Sequence, residues 1–573
     1  MDINVSLAWN LKITFPFGLL IGLVLVTTAQ LFRLLGANQL HRILRGHGLL
    51  RSRSIDDDDG FGVNYLHGTN RHPLPIHQRP NLYPKPPSQA GRELMASGDY
   101  GNNTYYADKL RSRKKELSAK LMYRELGAGP RGAESRYSRA ISQDLLPGTP
   151  VDTIIHYDLP CYSGQFSDDG NFFFTSCQDF KVRMYDTSNP YIWRHYKTVT
   201  YPHGQWTITD ATLSPDNRFL AYSSIRHVVC LAGTDPSSDT NPILLDLDNG
   251  RRHGPLTSRF GIWSVRFSGD GRELVAGTSS SAVVVYDIET RKNILQLQRH
   301  TDDVNAVCYG DSMSPHILYS GSDDTNIRVW DRRSMADGRA AGVFIGHTEG
   351  VTFVDSKGDG RYVLSNSKDQ TMKLWDLRKM ATDRNSIENR RNIYSTGFDY
   401  RFSPFRKDEY TPHPDDCSVV TFHGHGVLRT LIRCHFSPAG STNSRYVYTG
   451  SQDGKVYIYN LDATLAKVID VRAATRHTWD GKEGTRIGTD QPVKACVRDA
   501  SWHPDAPIIA ATSWNGWGRE EGTCSVHSWG LSEGNGTHLD SELQRPDTPS
   551  DGGYEDMIEE DLRIAEEIRM AEE

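Results

Sequence analysis

The sequence of 573 residues lacks the short motifs that usually mark a metal site, a nucleotide site or a hydrolytic nucleophile. Its eight cysteines form no C-x-x-C pair, and no group of cysteine and histidine has zinc-finger spacing. No P-loop or Rossmann phosphate loop follows a predicted strand, and no H-E-x-x-H sequence, EF-hand loop or G-x-S-x-G elbow occurs. The sequence therefore offers no case for an enzyme, a cofactor or a bound metal.

The chain also has little net charge outside its carboxyl-terminal end. The formal charge of the chain is −6. Residues 551–573 contain ten acidic and two basic residues, a balance of −8, so the remainder of the chain is near +2. This weak field favours neither nucleic acid nor a substrate of one charge sign as the partner.

The cysteines themselves are interpreted as reduced thiols. Their even number would allow four disulfides, but Cys177, Cys308 and Cys434 fall inside apolar strand patterns. A free cysteine behaves there as a small hydrophobic residue. Reduced thiols predict a cytoplasmic or nuclear protein, because disulfides persist mainly in oxidising compartments.

One apolar run, at residues 13–32, has the length needed to cross a bilayer, which takes about 20 residues. Positive charge is heavier after this run than before it, so an anchor here would leave the rest of the chain in the cytosol. Residues 1–33 are therefore a candidate transmembrane segment. A signal peptide and a wrongly predicted first exon are the alternatives.

Residues 34–136 are predicted to be a largely disordered linker. Four consecutive aspartates, scattered proline and glycine, and the absence of apolar periodicity support this between residues 52 and 101. Within the linker, residues 105–127 place Leu110, Leu117 and Leu121 on one helical face among many basic residues. This pattern predicts a basic helix, either bound in a partner's groove or resting on the edge of the folded domain.

Residues 531–573 are predicted to be an acidic tail. Between residues 554 and 573, Ile558, Leu562 and Ile568 recur at helical spacing, with acidic residues on the other faces. The tail is either an amphipathic helix that binds a partner or a soluble, partly helical end.

The strongest positive signal is a repeat. The segments ILYSGSDDTNIRVWD (317–331) and YVLSNSKDQTMKLWD (362–376) are two copies of one motif, and their tryptophans are 45 residues apart. A repeat of about 40–45 residues that ends in Trp-Asp is typical of a β-propeller blade.

Seven copies of this pattern predict an all-β fold, a seven-bladed WD-repeat β-propeller over residues 137–530. Third strands are expected to end at Tyr185, Tyr286, Trp330, Trp375, Tyr459 and Trp529, with one degenerate copy between the first two. No strand follows Trp529, so the outer strand of blade seven is expected from residues 137–157, which would remove an exposed sheet edge. The long interval after Trp375 is assigned to an insertion after blade five, residues 382–417.

Both clear repeats continue as Trp-Asp-x-Arg, with the arginines at positions 333 and 378. Here the chain resembles the WD-repeat substrate receptors of cullin-four RING ubiquitin ligases. Within that class it is most similar to the branch of DDB-one- and cullin-four-associated factor eleven and its plant and fungal relatives. The similarity covers about residues 137–530 and is carried by DDVNAV (302–307) and by residues 350–378, 425–438 and 494–504.

The resemblance implies a docking site for the adaptor that bridges to cullin-four, on the narrow rim of the propeller. The implied site residues are Trp330, Asp331, Arg333, Trp375, Asp376 and Arg378. A planar guanidinium with five donors suits such a rim pocket. The chain would present an unidentified protein substrate for ubiquitination and proteasomal degradation, with no catalytic residue of its own. The alternative is a non-catalytic WD-repeat scaffold for another protein assembly, with or without a membrane tether.

Membership of the WD-repeat class also implies a buried hydrogen-bond network of His, Ser, Asp and Trp within a blade. The candidates are Asp179, Asp324, Asp369 and Asp453, with Cys177, Ser322, Ser367 and Ser451 two positions earlier and His300, His347 and His425 upstream. A hydrolytic triad is the competing interpretation. It is disfavoured because the set recurs from blade to blade, whereas a catalytic set occurs once.

Overall fold

The computed structural model describes residues 83–100, 122, 125 and 145–529, with gaps at 239–240, 249–260, 312–314, 335–337, 383–394, 396–397, 402, 406–409, 480–494 and 516–520. The predicted membrane segment and the acidic tail lie outside the described residues. The predicted basic helix at 105–127 does too, except for Met122 and Glu125, which are helical. No helix in the described part of the chain is long and apolar enough to span a bilayer.

Seven antiparallel sheets of four strands each make up the described fold. The chain enters the fold with β1 (Val151–Tyr157). Blade one contains β2 (Cys161–Phe166), β3 (Phe172–Cys177), β4 (Lys181–Asp186) and β5 (Arg194–Thr200). Blade two contains β6 (Ile208–Leu213), β7 (Phe219–Ser224), β8 (Val228–Gly233) and β9 (Ile243–Asp246). Blade three contains β10 (Ile262–Phe267), β11 (Glu273–Thr278), β12 (Ala282–Asp287) and β13 (Lys292–Gln298).

The remaining blades follow in chain order. Blade four contains β14 (Val304–Tyr309), β15 (Ile317–Ser322), β16 (Ile327–Asp331) and β17 (Gly342–Phe344). Blade five contains β18 (Val351–Ser356), β19 (Tyr362–Ser367), β20 (Thr371–Asp376) and β21 (Val420–His423). Blade six contains β22 (Cys434–Phe436), β23 (Tyr446–Gly450), β24 (Lys455–Asn460) and β25 (Leu465–Asp470). Blade seven contains β26 (Ala495–Trp502), β27 (Ile508–Asn515) and β28 (Gly522–Ser528), and β1 pairs with β28 as its outer strand.

The predicted seven-bladed propeller is confirmed, and so is the closure of its ring by a strand from before blade one. Because β1 pairs antiparallel with β28, the last blade has no exposed third-strand edge. Three α-helices have both ends among the described residues: α1 (Gln89–Ser97), α2 (Ala439–Thr442) and α3 (Val471–Trp479).

The turn between the first and second strands has the same chemistry in blades one, two and three. Ser214 Oγ donates a hydrogen bond of 2.5 Å to Asp216 Oδ1, and Ser268 makes the same bond to Asp270. The residue after the aspartate has positive φ, as at Gly271 (71°), a conformation that glycine adopts without a steric penalty. The repeated pattern of Ser-x-Asp followed by Gly or Asn is therefore a local hairpin signal.

The two faces of the ring differ in what they carry. The box face holds the turns between first and second strands and between third and outer strands, including Asp359 and Asp376. The mouth face holds the turns between second and third strands and the connections between blades, including Asp323 and Trp206. First strands of neighbouring blades contact one another around the axis.

Charged side chains from several first strands close this axis. Arg433 Nη2 lies 2.7 Å from Asp210 Oδ1, and its Nη1 lies 3.2 Å from Asp499 Oδ2. Arg266 also pairs with Asp210, at 2.5 Å, and His435 lies 2.8 Å from Asp499. Blades two, three, six and seven are thereby linked across the centre by groups that satisfy one another.

The insertion expected after blade five lies within blade five. It is part of residues 377–419, which connect β20 to β21, the third and outer strands of the same sheet. The blade count was correct, but the position of the insertion was wrong, because the outer strand has no aromatic-Asp signal and pairing decides its blade. The insertion reaches the mouth face, where the Tyr400 ring centroid lies 4.1 Å from Lys368 Nζ.

Residues 83–100, which we call the N-terminal strap, differ from the expected disordered linker. Helix α1 is capped by Ser88 and ends at Gly98, whose φ is 90°. Met95 and Tyr100 are buried in one apolar cluster with side chains of blades five and six, such as Leu461. A short helix with two buried anchors leaves little apolar periodicity in the sequence, which is why the pattern was read as disorder.

Candidate functional site

The two Trp-Asp-x-Arg boxes lie at the ends of β16 and β20 on the box face. Trp330 and Trp375 have 0% exposed surface. Each indole Nε1 donates a hydrogen bond of 2.8 Å to a serine of its own blade, Ser320 or Ser365. The tryptophans are therefore core residues, and only the aspartate and arginine of each box can reach a partner.

In blade four, the box arginine is paired with its own aspartate. Arg333 Nε and Nη2 lie 3.0 and 2.9 Å from the two carboxylate oxygens of Asp331. The guanidinium hydrogen bonds hold the pKa of Asp331 below its ordinary value. The Arg333 side chain is 63% exposed, but two of its donors are already occupied.

In blade five, the aspartate of the box pairs with an arginine from outside the box. Arg361 Nη2 lies 3.0 Å from Asp376 Oδ2, and Arg361 Nη1 lies 3.1 Å from Asp99 Oδ2 in the N-terminal strap. Asp376 Oδ1 also accepts the backbone N–H of Arg378 at 3.0 Å. The side chain of Arg378 is exposed and makes no hydrogen bond or ion pair with any described residue.

The residue just before the second strand explains this difference. Blade five has Arg361 there, whereas blade four has His316, and the neighbouring Arg332 is committed to Glu273 of blade three. Asp331 thus has only Arg333 as a guanidinium partner. Sequence reasoning missed Arg361, although it follows a turn glycine in KGDGRYVLSNS, as Arg272 does in SGDGRELVAGT.

The strap approaches this box from the edge of blades five and six. Lys357 Nζ donates to the Asp99 carbonyl at 2.9 Å and lies 4.0 Å from the Tyr100 ring centroid. At its other end, Tyr83 stacks on Tyr410 with ring centroids 4.2 Å apart. Asp99 was not recognisable from the sequence, because its partner lies 262 positions away.

The expected His, Ser, Asp and Trp networks are present in blades four and five, with a different serine. His347 Nδ1 lies 2.9 Å from Asp369 Oδ2, and its Nε2 lies 2.7 Å from Ser365 Oγ. His300, Asp324, Ser320 and Trp330 repeat the arrangement in blade four.

The prediction of Ser322 and Ser367 for these networks was wrong. Ser367 lies at the end of β19, where its hydroxyl accepts the N–H of Asp369 and donates to backbone carbonyls. The histidine ring reaches the middle of the strand, at Ser365. Burial acts to raise the pKa of Asp369, but the adjacent His347 holds it below its ordinary value.

The other two predicted networks do not form. Asp179 pairs with Arg183 at 2.5 Å, and Asp453 accepts a hydrogen bond from Tyr457. His425 contacts Asn366 and Tyr459 instead, and burial lowers its pKa to about 3, so it is a neutral core residue.

Replacing Ser365 by alanine is expected to lower the free energy of unfolding by about 1–3 kcal/mol, because it leaves Nε2 of His347 and the indole N–H of Trp375 without their buried hydrogen-bond partner. Urea denaturation of the variant against wild type measures the change. Ser395→Ala, at an exposed position in the insertion, is the control and should alter stability much less. A Ser365→Ala protein as stable as wild type would contradict a structural role for the network.

Other chemistry is not supported in the described residues. They hold no group of three or more histidine, cysteine or acidic side chains arranged for a metal ion. The eight cysteines are unpaired, and seven are buried. The features that distinguish this propeller are therefore the two arginines on the box face and their carboxylate partners.

Comparisons with known proteins agree with this architecture. The family model described as WD domain, G-beta repeat matches residues 148–186 and 416–460, and the model described as Nucleolar protein 10-like, N-terminal domain matches residues 194–372. The LEC14B protein of Lithospermum erythrorhizon is 42% identical over 363 residues, which are 62% of this chain and 71% of the relative. The DDB1- and CUL4-associated factor 11 homolog of Caenorhabditis elegans is 35% identical over 364 residues, 61% of this chain and 59% of the relative.

A LEC14B homolog of Prunus armeniaca shows a similar likeness, with 42% identity over 367 residues, 62% of this chain and 71% of the relative. The resemblance expected from the repeat motifs and from the segments around the two boxes is thereby confirmed. The chain belongs to the WD-repeat family that contains LEC14B and the DDB1- and CUL4-associated factor 11 homologs.

Proposed function

We propose that this protein is a substrate receptor of a ubiquitin ligase built on cullin-4, and that it binds the adaptor DDB1 through the box face. Support comes from the family, since relatives carry names that associate them with DDB1 and CUL4. The observation that carries the proposal is the exposed guanidinium of Arg378, which has no partner among the described residues and lies beside a second box in the next blade.

The box face suits an acceptor-rich pocket on a partner. A guanidinium is always charged and presents five donors in one plane, so it can bind carbonyl or carboxylate oxygens in fixed directions. Lys379, which is also exposed, adds positive charge next to Arg378 in sequence. Arg333 supplies a second contact, but it must first leave or share Asp331.

In this proposal, Trp330 and Trp375 act indirectly. They fill the blade cores and fix the third strands, so that Asp331 and Asp376 hold the following turns in place. The chain contributes binding surfaces only, and ubiquitin transfer would be performed by an enzyme held elsewhere in the ligase. The target protein would bind a different surface of the propeller.

The test is affinity purification of the full chain and of a variant carrying Arg333→Glu with Arg378→Glu. Loss of DDB1 and cullin-4 from the variant, with an unchanged thermal unfolding midpoint, is the expected result. A second variant with Lys181→Glu and Arg226→Glu, two exposed cations at turns of the mouth face, has the same charge change and should retain both subunits. Equal recovery from all three proteins would overturn the proposal in favour of a scaffold for another assembly.

A further inference from the structure

A ring of side chains on the mouth face arises from a β-bulge that recurs in the first strands of the propeller. In six blades, the pairing of the first strand shifts by one residue after its first or third position, as between Cys161 and Ser163. Such a β-bulge leaves one residue unpaired and re-aims its side chain. The bulged residues, which we call the mouth ring, are Tyr162, Thr209, Trp263, Asn305, Thr352 and Arg498.

These bulged side chains converge at the axis. Trp263, Asn305, Thr352 and Arg498 line one cavity of about 10 Å³. Arg433 and Asp210, the ion pair on the axis, also line this cavity. The bulged side chains therefore surround a cavity about the size of one water molecule.

Arg498 is the single charged member of the mouth ring, and no carboxylate forms an ion pair with it among the described residues. Its Nε, Nη1 and Nη2 donate instead to the carbonyls of Leu431, Tyr162 and Thr209, at 3.2, 3.2 and 3.4 Å. The deeper carboxylates are committed to Arg433, Arg266 and His435. Burial, with the nearby charge of Arg433, lowers the pKa of Arg498 to about 10, so it remains cationic at neutral pH.

Aromatic side chains surround this cation. The Tyr162 ring centroid lies 5.4 Å from the Arg498 guanidinium carbon, 6.0 Å from the Trp206 ring and 6.2 Å from the Trp514 ring. Trp206 is 55% exposed, and its backbone has a φ of 65°, which is costly for a bulky residue. An exposed indole held on such a backbone is typical of a binding anchor.

We propose that the mouth ring and Trp206 bind an extended peptide segment of a partner protein that carries an Asp or Glu side chain next to an aromatic or aliphatic residue. The carboxylate would meet Arg498, whose charge lacks an anionic partner. The apolar neighbour would pack on Trp206, Tyr162 and Trp514.

Acidic groups on blade four set the direction of this peptide. Asp302, Asp303 and Asp323 lie on the mouth face there, and Asp323 is paired with Lys368 at 2.7 Å. They would repel an acidic side chain, whereas blades seven and one offer Arg498 and the aromatic rings. Binding of the peptide is independent of the proposed function. That the peptide belongs to a degradation target rests on the proposed function.

Selection of phage-displayed random linear peptides on the purified full chain tests the site. The enriched peptides are expected to share an Asp or Glu beside an aromatic or aliphatic residue. Their affinity should fall about tenfold or more for Trp206→Ala and Arg498→Lys, as for loss of an interface anchor. Each selected peptide is also compared with its Glu→Gln or Asp→Asn version, which should bind as weakly.

Trp529→Ala is the matched control, because this exposed indole lies outside the mouth ring. It should leave peptide affinity unchanged. If Arg498→Lys lowers the thermal unfolding midpoint, its loss of binding could come from a fold defect. The binding result for Trp206→Ala is then used instead, since Trp206 is largely outside the core. No enrichment, enriched peptides without acidic residues, or full binding to Trp206→Ala would each overturn the inference.

The same proteins separate this inference from the proposed function. The variant with Arg333→Glu and Arg378→Glu should lose DDB1 and still bind the selected peptides. If wild type recovers DDB1 but selects no peptide, the mouth site alone is wrong. If peptides bind at Trp206 but DDB1 is not recovered, the ligase role alone is wrong.

Discussion

Replacement of Arg378 by glutamate is expected to reduce recovery of DDB1 about tenfold or more, whereas Arg333→Glu should reduce it much less. Arg378 presents a guanidinium with no partner among the described residues, but Arg333 is already bonded to Asp331 at two atoms. A reversed charge facing a complementary surface costs several kcal/mol, and each 1.4 kcal/mol is about a tenfold change in affinity. Quantitative co-purification with each single variant measures the difference.

Arg361 is expected to affect DDB1 binding indirectly, by pairing with Asp376. In Arg361→Gln, the carboxylate of Asp376 loses its guanidinium partner and becomes available to Arg378, as Asp331 is to Arg333. DDB1 recovery should then fall. Adding Asp376→Asn should restore it, because an asparagine oxygen still caps the Arg378 N–H but carries no charge to bind its side chain.

Rescue in the double variant distinguishes positioning from general damage to blade five. A fold defect caused by loss of Arg361 would persist or worsen when Asp376 is also changed. Arg361→Gln with normal DDB1 recovery would exclude this role of Arg361 and leave the docking role of Arg378 standing. Equal losses for Arg333→Glu and Arg378→Glu would show that both boxes contribute alike.

Arg433→Met is expected to cost about 3–5 kcal/mol of unfolding free energy, the usual penalty for removing one member of a buried ion pair. Arg433 is buried between Asp210 and Asp499, and its loss leaves both carboxylates with fewer partners on the axis. Urea denaturation measures the cost. Arg218→Met removes an exposed arginine 3.9 Å from Asp216 and should change stability little.

The same network predicts the pH dependence of stability. Burial acts to raise the pKa of Asp210 and Asp499, but the cations around them hold both below the ordinary value of 3.8. A carboxyl group with a lowered folded-state pKa stabilises the fold at neutral pH, and this contribution is lost as pH falls through the folded-state pKa. The difference in stability between wild type and Arg433→Met should therefore shrink below about pH 4. A difference that stays constant down to pH 2 would contradict this assignment.

Features with a local signal were predictable from the sequence. Four blades repeat Trp-Asp or Tyr-Asp at the end of the third strand, and turns of Ser-x-Asp followed by Gly or Asn recur before the second strands of blades one, two and three. The missing strand after Trp529 also required a partner from before blade one, since an open edge in a closed ring is unfavourable. Blade number, ring closure and the positions of the boxes follow from these signals.

Features that depend on contacts between distant parts of the chain were not predictable from the sequence. In blade five, Ser365 and Ser367 both fit the network in sequence, and the depth reached by the His347 ring selects Ser365, in the middle of the strand. The strap has too few apolar residues to show a pattern, yet Tyr100 finds a buried place on blade five. The insertion belongs to blade five only because β21 pairs with β20.

The sequence by itself determined a seven-bladed ring with two adjacent arginine boxes, because repeat length and strand pattern are properties of neighbouring residues. Only the tertiary structure decided that the side chain of Arg333 is bonded to Asp331, whereas that of Arg378 has no partner among the described residues. That outcome depends on Arg361 and Asp99, which meet across 262 positions of chain. The mouth ring likewise required the closed ring, since its bulged residues come from six blades and become neighbours only around a common axis.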